Sequence, residues 1–222
     1  MTLADHILSF YQSLNVSVKL PKGVDVLNPF QNAEVFGLCK KFYQQFYSDT
    51  KPRKLIMGIN PGRLGGGITG IPFTDPVKLE KYCNIQNTLP KKTELSADFI
   101  YTMIEAYGGA RSFYRGFFVS AVCPLGFTLD GLNLNYYDHK KLETLVRPFM
   151  IDSIRHQLTF PIDQEVCFCL GEGKNYQYLE KLNADNKFFK KVIPLPHPRF
   201  IMQYRRKRLD EFVKLYLETL KE

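Results

Sequence analysis

Asn60 sits near the start of GINPGRLGGGITGIPF (residues 58–73), where six of sixteen residues are glycine and Asp, Glu, Lys, His, Ser and Cys are absent. Thirteen residues after Asn60 comes Phe73. An Asn carboxamide orients water or a base edge but is no base near neutral pH, and a Phe ring stacks on a flat ligand. Asn, Pro and Gly are also ordinary turn residues, so Asn60-Pro61-Gly62 alone is compatible with a simple turn. The glycines allow positive φ and close approach of backbone to a ligand. A phosphate-binding P-loop would end in GK followed by Ser or Thr, which is absent here.

His197 lies in PLPHPRF, between two prolines that restrict the backbone around it. Imidazole can donate a hydrogen bond or exchange a proton near neutral pH. A third stretch, GEGKN (171–175), also fails the P-loop pattern. It reads as a strand-to-helix turn whose backbone N–H groups, with Lys174, are suited to a phosphate. A fourth stretch, YRRKR (204–208), concentrates cations where a final helix is expected to begin. Cations there oppose the helix dipole, and a nucleic-acid backbone would offset that cost. RFIMQY, just before it, is apolar and suits a wedge pushed into a base stack.

These residues need elements to hold them. Leu3, Ile7, Leu8, Tyr11 and Leu14 share one helical face over residues 3–14. Asn32 is expected to cap a second helix with Val35, Phe36, Cys39, Phe42, Tyr43 and Phe46 inward. Strands are expected at about 54–59, 117–122, 165–170 and 190–195. Helices are expected at about 95–107, at 138–158 with a bend or break near Pro148, after GEGK, and at about 203–220. In the last, Leu209, Phe212, Val213, Tyr216, Leu217 and Leu220 repeat on one face. Strands alternating with helices imply an α/β fold, a three-layer α/β/α arrangement around a mostly parallel four-stranded sheet. Ligands bind such sheets beyond the carboxyl ends of the strands. NPGRLGGG, CPLG, GEGK and PHPR each follow one of the four strands, so all fall on that edge. His197 is the one of four histidines there.

Composition narrows the classes. The chain has 222 residues, 45% of them hydrophobic, and is read as a single domain (1–222) with residues 1–50 as a helical cover. No apolar run approaches the roughly 18 residues of a membrane span, and the N-terminus reads as an amphipathic helix rather than a signal peptide. The five cysteines are irregularly spaced, which argues against a disulfide framework or a zinc site and for core thiols in a reducing compartment. No metal or cofactor is expected. The formal charge of +8 favours a polyanionic partner.

Together these stretches resemble the uracil-DNA glycosylase superfamily, and most closely its single-strand-selective monofunctional branch, in a divergent, bacterial-type form. That branch has a first motif G-M-N-P-G-P-F-G-M-A-Q-T-G-V-P-F-G, and GINPGRLGGGITGIPF matches it without a gap. The branch's F-V-H-N-L-C-P-L is matched by FVSAVCPL, and its H-P-S-P-R-N-P by HPRF, two residues shorter. The resemblance runs from about Lys54 to the C-terminus. It implies hydrolysis of the N-glycosidic bond of uracil or another deaminated base in DNA, leaving an abasic site. Asn60 would position the attacking water, His197 would stabilise the departing base at O2, and Phe73 would stack on it. Backbone at Ile59 and Gly62 would line the pocket. Arg199 and Phe200 fall where the family has its wedge loop, and Lys174, Arg205 and Arg206 would meet the DNA backbone. A monomer is expected, cytoplasmic in a bacterium or nuclear in a eukaryote.

One departure matters. The family's base-reading Asn aligns with Ala121, while Ser120 should point to the opposite face of its strand. Asn133 and Asn135, on the following loop, are candidates to reach in. Xanthine and hypoxanthine therefore join uracil as candidate bases. A catalytically inactive DNA-binding module on the same fold is the alternative.

Overall fold

A computed structural model describes residues 1–222. In chain order the elements are α1 (Leu3–Ser13), β1 (Val24–Leu27), α2 (Ala33–Phe46), β2 (Arg53–Gly58), α3 (Gly66–Thr69), α4 (Pro76–Cys83), α5 (Leu95–Tyr107), α6 (Ala110–Gly116), β3 (Phe117–Ala121), β4 (Gly126–Leu129), β5 (Leu132–Leu134), α7 (Lys140–Gln157), β6 (Ile162–Leu170), α8 (Lys174–Asn186), β7 (Lys191–Leu195), α9 (Pro198–Tyr204) and α10 (Leu209–Thr219). The central sheet has the order β3-β2-β6-β7 and every neighbouring pair is parallel. Strands buried on both faces read as continuous apolar runs, and Phe117–Ala121 and Val166–Leu170 are buried throughout. Helices flank the sheet, as the α/β reading requires.

Local signals explain most boundaries. Asn32 caps α2 as expected, its side chain accepting from the N–H groups of Glu34 and Val35. Thr2 and Asp5 form a reciprocal capping box on α1. Gly108, at φ +110°, ends α5 in the left-handed conformation that glycine adopts at low cost. All five cysteines are free and buried. No helix is long and apolar enough to cross a membrane.

Three sequence expectations change. The helix containing Pro148 runs unbroken from Lys140 to Gln157. The expected final helix of 203–220 is two helices: α9 ends at Tyr204, a 3-10 turn spans Arg206–Arg208, and α10 starts at Leu209. The cations therefore follow the carboxyl end of α9, where its dipole favours them, and Asp210 and Glu211 occupy the first turn of α10. Arg208 also pairs with Glu211 at 2.6 Å. Third, a small antiparallel sheet of order β1-β4-β5 was not anticipated. It continues from the end of β3 and brings Leu134 and Tyr136 against the loop after β2.

Residues 1–50 do more than cover the sheet. Cys39 of α2 donates its thiol to the Thr69 carbonyl at 3.4 Å. Gly70, at φ +71°, lies so close to Cys39, Phe30 and Val35 that a side chain there would collide with them. The N-terminal helices thus shape the back of the glycine-rich stretch.

Candidate active site

The four loops that leave the parallel strands meet over the sheet's carboxyl edge. The loops after β2 and β7, with the start of α5 and the end of β5, surround a cleft of about 290 Å³ lined by Ile59, Asn60, Gly62, Phe73, Glu94, Ser96, Asn133, Asn135, His197, Arg199, Phe200, Gln203 and Tyr204. Nine of the residues singled out from sequence are in this lining: Ile59, Asn60, Gly62, Phe73, Asn133, Asn135, His197, Arg199 and Phe200.

Asn60 is held by backbone. Its Oδ1 accepts from the Tyr136 N–H at 3.1 Å and its Nδ2 donates to the Leu134 carbonyl at 3.2 Å. The amide orientation is therefore determined, and one lone pair of Oδ1 stays open. Tyr136 is in turn anchored, its hydroxyl donating to Asn175 Oδ1 at 2.9 Å, while Asn175 Nδ2 donates to the Leu170 carbonyl at 3.1 Å. A buried chain of hydrogen bonds thus ties Asn60 to the end of β6.

The glycine stretch folds on itself. The Gly62 carbonyl accepts from the N–H groups of Gly65 and Gly67 at 3.3 and 2.9 Å. Phe73 has φ +53°, unusual for a residue with a side chain, and its ring lies directly over Gly58. A Cβ on Gly58 would stand 2.7 Å from Phe73 Cζ. Gly58 is paired with Ala121 across β2 and β3, so the Ala121 methyl faces the same side of the sheet as Phe73. Ser120 falls on the other face, with its hydroxyl buried and unpartnered.

His197 precedes α9 and caps it: its Nδ1 accepts from the Arg199 N–H at 3.1 Å. That bond leaves the proton on Nε2, on the opposite side of the ring. Burial, with the Arg199 guanidinium nearby, lowers its pKa to about 4, so the ring is neutral at pH 7 and donates through Nε2. Its centroid is 6.3 Å from that of Phe73. Behind the ring, Tyr216 of α10 donates its hydroxyl to the Pro196 carbonyl, bracing the loop.

The cation set divides. Arg199 lines the cleft. Lys174 lies in an adjoining cleft with Tyr137, Gly171, Glu172, Gly173, Asn175, His197 and Phe200, where it pairs with Asp138 at 3.2 Å and sits over the Tyr137 ring. Arg205 and Arg206 are exposed beside the cleft mouth, with the Arg205 guanidinium 5.3 Å from the Phe200 ring centroid. Phe200 and Tyr204, one helical turn apart, form an exposed aromatic pair with centroids 5.6 Å apart. Both loop asparagines reach the cleft, each with half of its amide engaged: Asn133 Oδ1 accepts from the Arg63 N–H at 2.9 Å and Asn135 Nδ2 donates to Asp138 at 2.7 Å.

With this geometry in view, comparison with known proteins is decisive. Residues 44–221 match the model of the Uracil DNA glycosylase superfamily. The chain belongs to that superfamily. It is a monofunctional DNA glycosylase, acting by hydrolysis on uracil or another deaminated base in DNA. A solved structure, that of wild-type SMUG2 from Pedobacter heparinus, is similar over 100% of this chain and 97% of that one, at 46% identity and a TM-score of 0.97. A comparison with curated proteins returned no match.

Four residues of the glycosylase's site were not among the candidates, Glu94, Ser96, Gln203 and Tyr204, and Glu94 is the charged one. Glu94, immediately before α5, reaches the cleft and also a narrower slot behind it lined by Gly58, Ile59, Asn60, Phe73, Ser120 and Ala121, among others. Burial, reinforced by Asp75 and Asp98 and opposed by Arg199, raises its carboxyl pKa to about 7. A signal was present. Glu is not among the residues that favour the position before a helix, and its side chain makes no capping bond there.

Proposed function

We propose that the cleft holds a deaminated base flipped out of DNA, with uracil as the first substrate, and that Asn60, Phe73 and His197 remove it. The reading rests on one observation above all: these three side chains, from loops after two strands and from the end of the glycine stretch, converge on a single cleft. Phe73 stacks on the base, recovering about 1–3 kcal/mol of the few kcal/mol needed to unstack it. The open lone pair of Asn60 Oδ1 accepts a hydrogen bond from water and aims it at C1′ of the deoxyribose. An amide cannot take the proton, so Asn60 contributes positioning. As the glycosidic bond breaks, its electron pair moves onto the base. Neutral His197 donates through Nε2 to the base carbonyl where this charge gathers, a contribution of about 3–4 kcal/mol for a fixed donor. The water oxygen ends on C1′, and its proton ends on the released base.

Arg199, Arg205 and Arg206 meet phosphates around the mouth, Lys174 serves the adjoining cleft, and Phe200 is the wedge on the face of α9. Residues 1–222 act as one domain and as a monomer, in the compartment that holds the DNA.

The test uses oligonucleotides carrying uracil, xanthine or hypoxanthine, followed by alkaline cleavage of abasic sites. Asn60→Ala and His197→Ala are each expected to lower single-turnover release by roughly 10²–10³-fold, with DNA affinity nearly unchanged. Turnover that neither substitution slows would refute the assignment.

A further inference from the structure

The slot behind the cleft is where a flipped base must be read, and this inference rests on that reading of the site. Its walls are backbone and apolar side chains, with three polar exceptions: Asn60, Ser120 and Glu94. The Asn60 amide is committed to Tyr136 and Leu134. The Ser120 hydroxyl lies on the opposite face of β3, and Ala121, which does face the slot, offers only a methyl group. Apart from the one Asn60 Oδ1 lone pair left for the water, Glu94 alone offers an uncommitted polar side-chain group to the slot. Its backbone N–H is pinned to Asp75 Oδ2 at 3.0 Å, and its carboxyl lies against Gly62 and Gly65. Any side chain on Gly65 would collide with Glu94 Oε2. The carboxyl itself enters no ion pair and no hydrogen bond, and it does not cap α5.

Deamination leaves each base with a ring N–H beside a C=O. We propose that the Glu94 carboxyl, in its protonated form, reads this edge: its C=O accepts from the ring N–H while its O–H donates to the neighbouring carbonyl. A neutral carboxyl thereby supplies the donor–acceptor pair that an amide would. An ionised one offers two acceptors and repels the base carbonyl.

The surroundings favour the neutral form. Burial and the nearby Asp75 and Asp98 raise its pKa to about 7, and Arg199 opposes them from α9. Lys78 is engaged by Asp75 and Asp98, at 3.6 and 2.5 Å. The other charged group lining its surroundings is Arg63, and His197, across the cleft, is neutral above about pH 4.

The experiment is single-turnover release of uracil, xanthine and hypoxanthine from single-stranded oligonucleotides between pH 5.5 and 9, for wild type, Glu94→Gln, Glu94→Ala and Asn60→Ala, with thermal melts of each. Wild-type release should decline about tenfold between pH 7 and 9 as the carboxyl ionises. Glu94→Gln, whose amide keeps the donor–acceptor pair at every pH, should hold a flat profile there and stay within about threefold of the wild-type maximum. Glu94→Ala should lose about 10–100-fold at pH 6. Glu94→Ala within threefold of wild type would overturn the proposal, as would Glu94→Gln falling as far as Glu94→Ala or keeping the wild-type decline. An Asn60→Ala variant as active as wild type would instead strike at the water-positioning role and leave the Glu94 result standing. Release of none of the three bases by wild type would overturn both.

Discussion

At the scale of single residues, His197 and Glu94 carry opposite linkages to pH. His197 has a folded pKa of about 4 against an ordinary 6.5. As pH falls through that window the unfolded chain gains a proton the folded chain refuses, so stability is lost. Glu94 has a folded pKa of about 7 against an ordinary 4.5. Here the folded chain binds the proton first, so stability is gained as pH falls from about 7 to 4.5. The two effects oppose each other between about 4.5 and 6.5. Denaturant melts across pH 4–8 should separate them. His197→Ala should gain stability on acidification through this range, and Glu94→Gln should lose it more steeply than wild type. Above pH 7, Glu94→Gln should be more stable than wild type by about 1–2 kcal/mol, because no charge is then buried. Parallel curves for all three proteins would contradict both assignments. Sequence exposed only one of these residues. His197 was visible because two prolines flank it just past a strand. Glu94 sits among the ordinary polar residues of KKTEL, and its role depends on Gly62 and Gly65, about thirty residues earlier, offering no side chains to exclude it.

At the scale of elements, the long apolar strands and the one-faced helices were legible because burial imposes their periodicity. The antiparallel sheet of β1, β4 and β5 was not, since its strands are only 3–4 residues long. Yet that sheet delivers the backbone groups at Leu134 and Tyr136 that orient Asn60. The break between α9 and α10 was also hidden. No Pro or Gly marks it, and α9 owes its direction to packing against α5 and to the His197 cap. The junction of β2 with the Phe73 turn yields a sharper test. Gly58→Ala places a methyl group 2.7 Å from the Phe73 ring. Alanine suits a strand better than glycine by roughly 0.5–1 kcal/mol, so the backbone has no reason to fail. The ring must move instead. Release of uracil should fall tenfold or more while the melting temperature changes by no more than a few degrees. Unchanged release would mean that Phe73 does not form the stacking floor. A collapse in stability would place the role of Gly58 in folding.

At the scale of the whole molecule, the sequence rule that held best was topological: all four strand-end loops lie on one edge of a parallel sheet, and the cleft is there. Charge was legible as a total, +8, and as the YRRKR cluster, but side-chain partners decide which cations are available. Arg208 is paired with Glu211 and Lys174 with Asp138. Arg205 and Arg206 are exposed and carry no acidic partner, and Arg205 lies against the Phe200 ring beside Tyr204. On the proposed function, Arg205 and Arg206 serve binding while Phe200 serves base extrusion, so the two steps belong to different residues. Neutralising Arg205 and Arg206 together should therefore weaken binding irrespective of sequence and flatten the plot of log K against log salt by about 1.4–1.8 for two lost phosphate contacts. Phe200→Ala should leave that slope intact. Its effect belongs to unstacking, so it should slow uracil release from a duplex several-fold more than from a single strand, where the base is already unpaired. Fluorescence anisotropy over a salt series and single-turnover release on both substrates measure the two effects separately. An unchanged slope in the double arginine variant would put DNA on another face. Equal slowing on duplex and single strand would make Phe200 a wall of the pocket rather than a wedge.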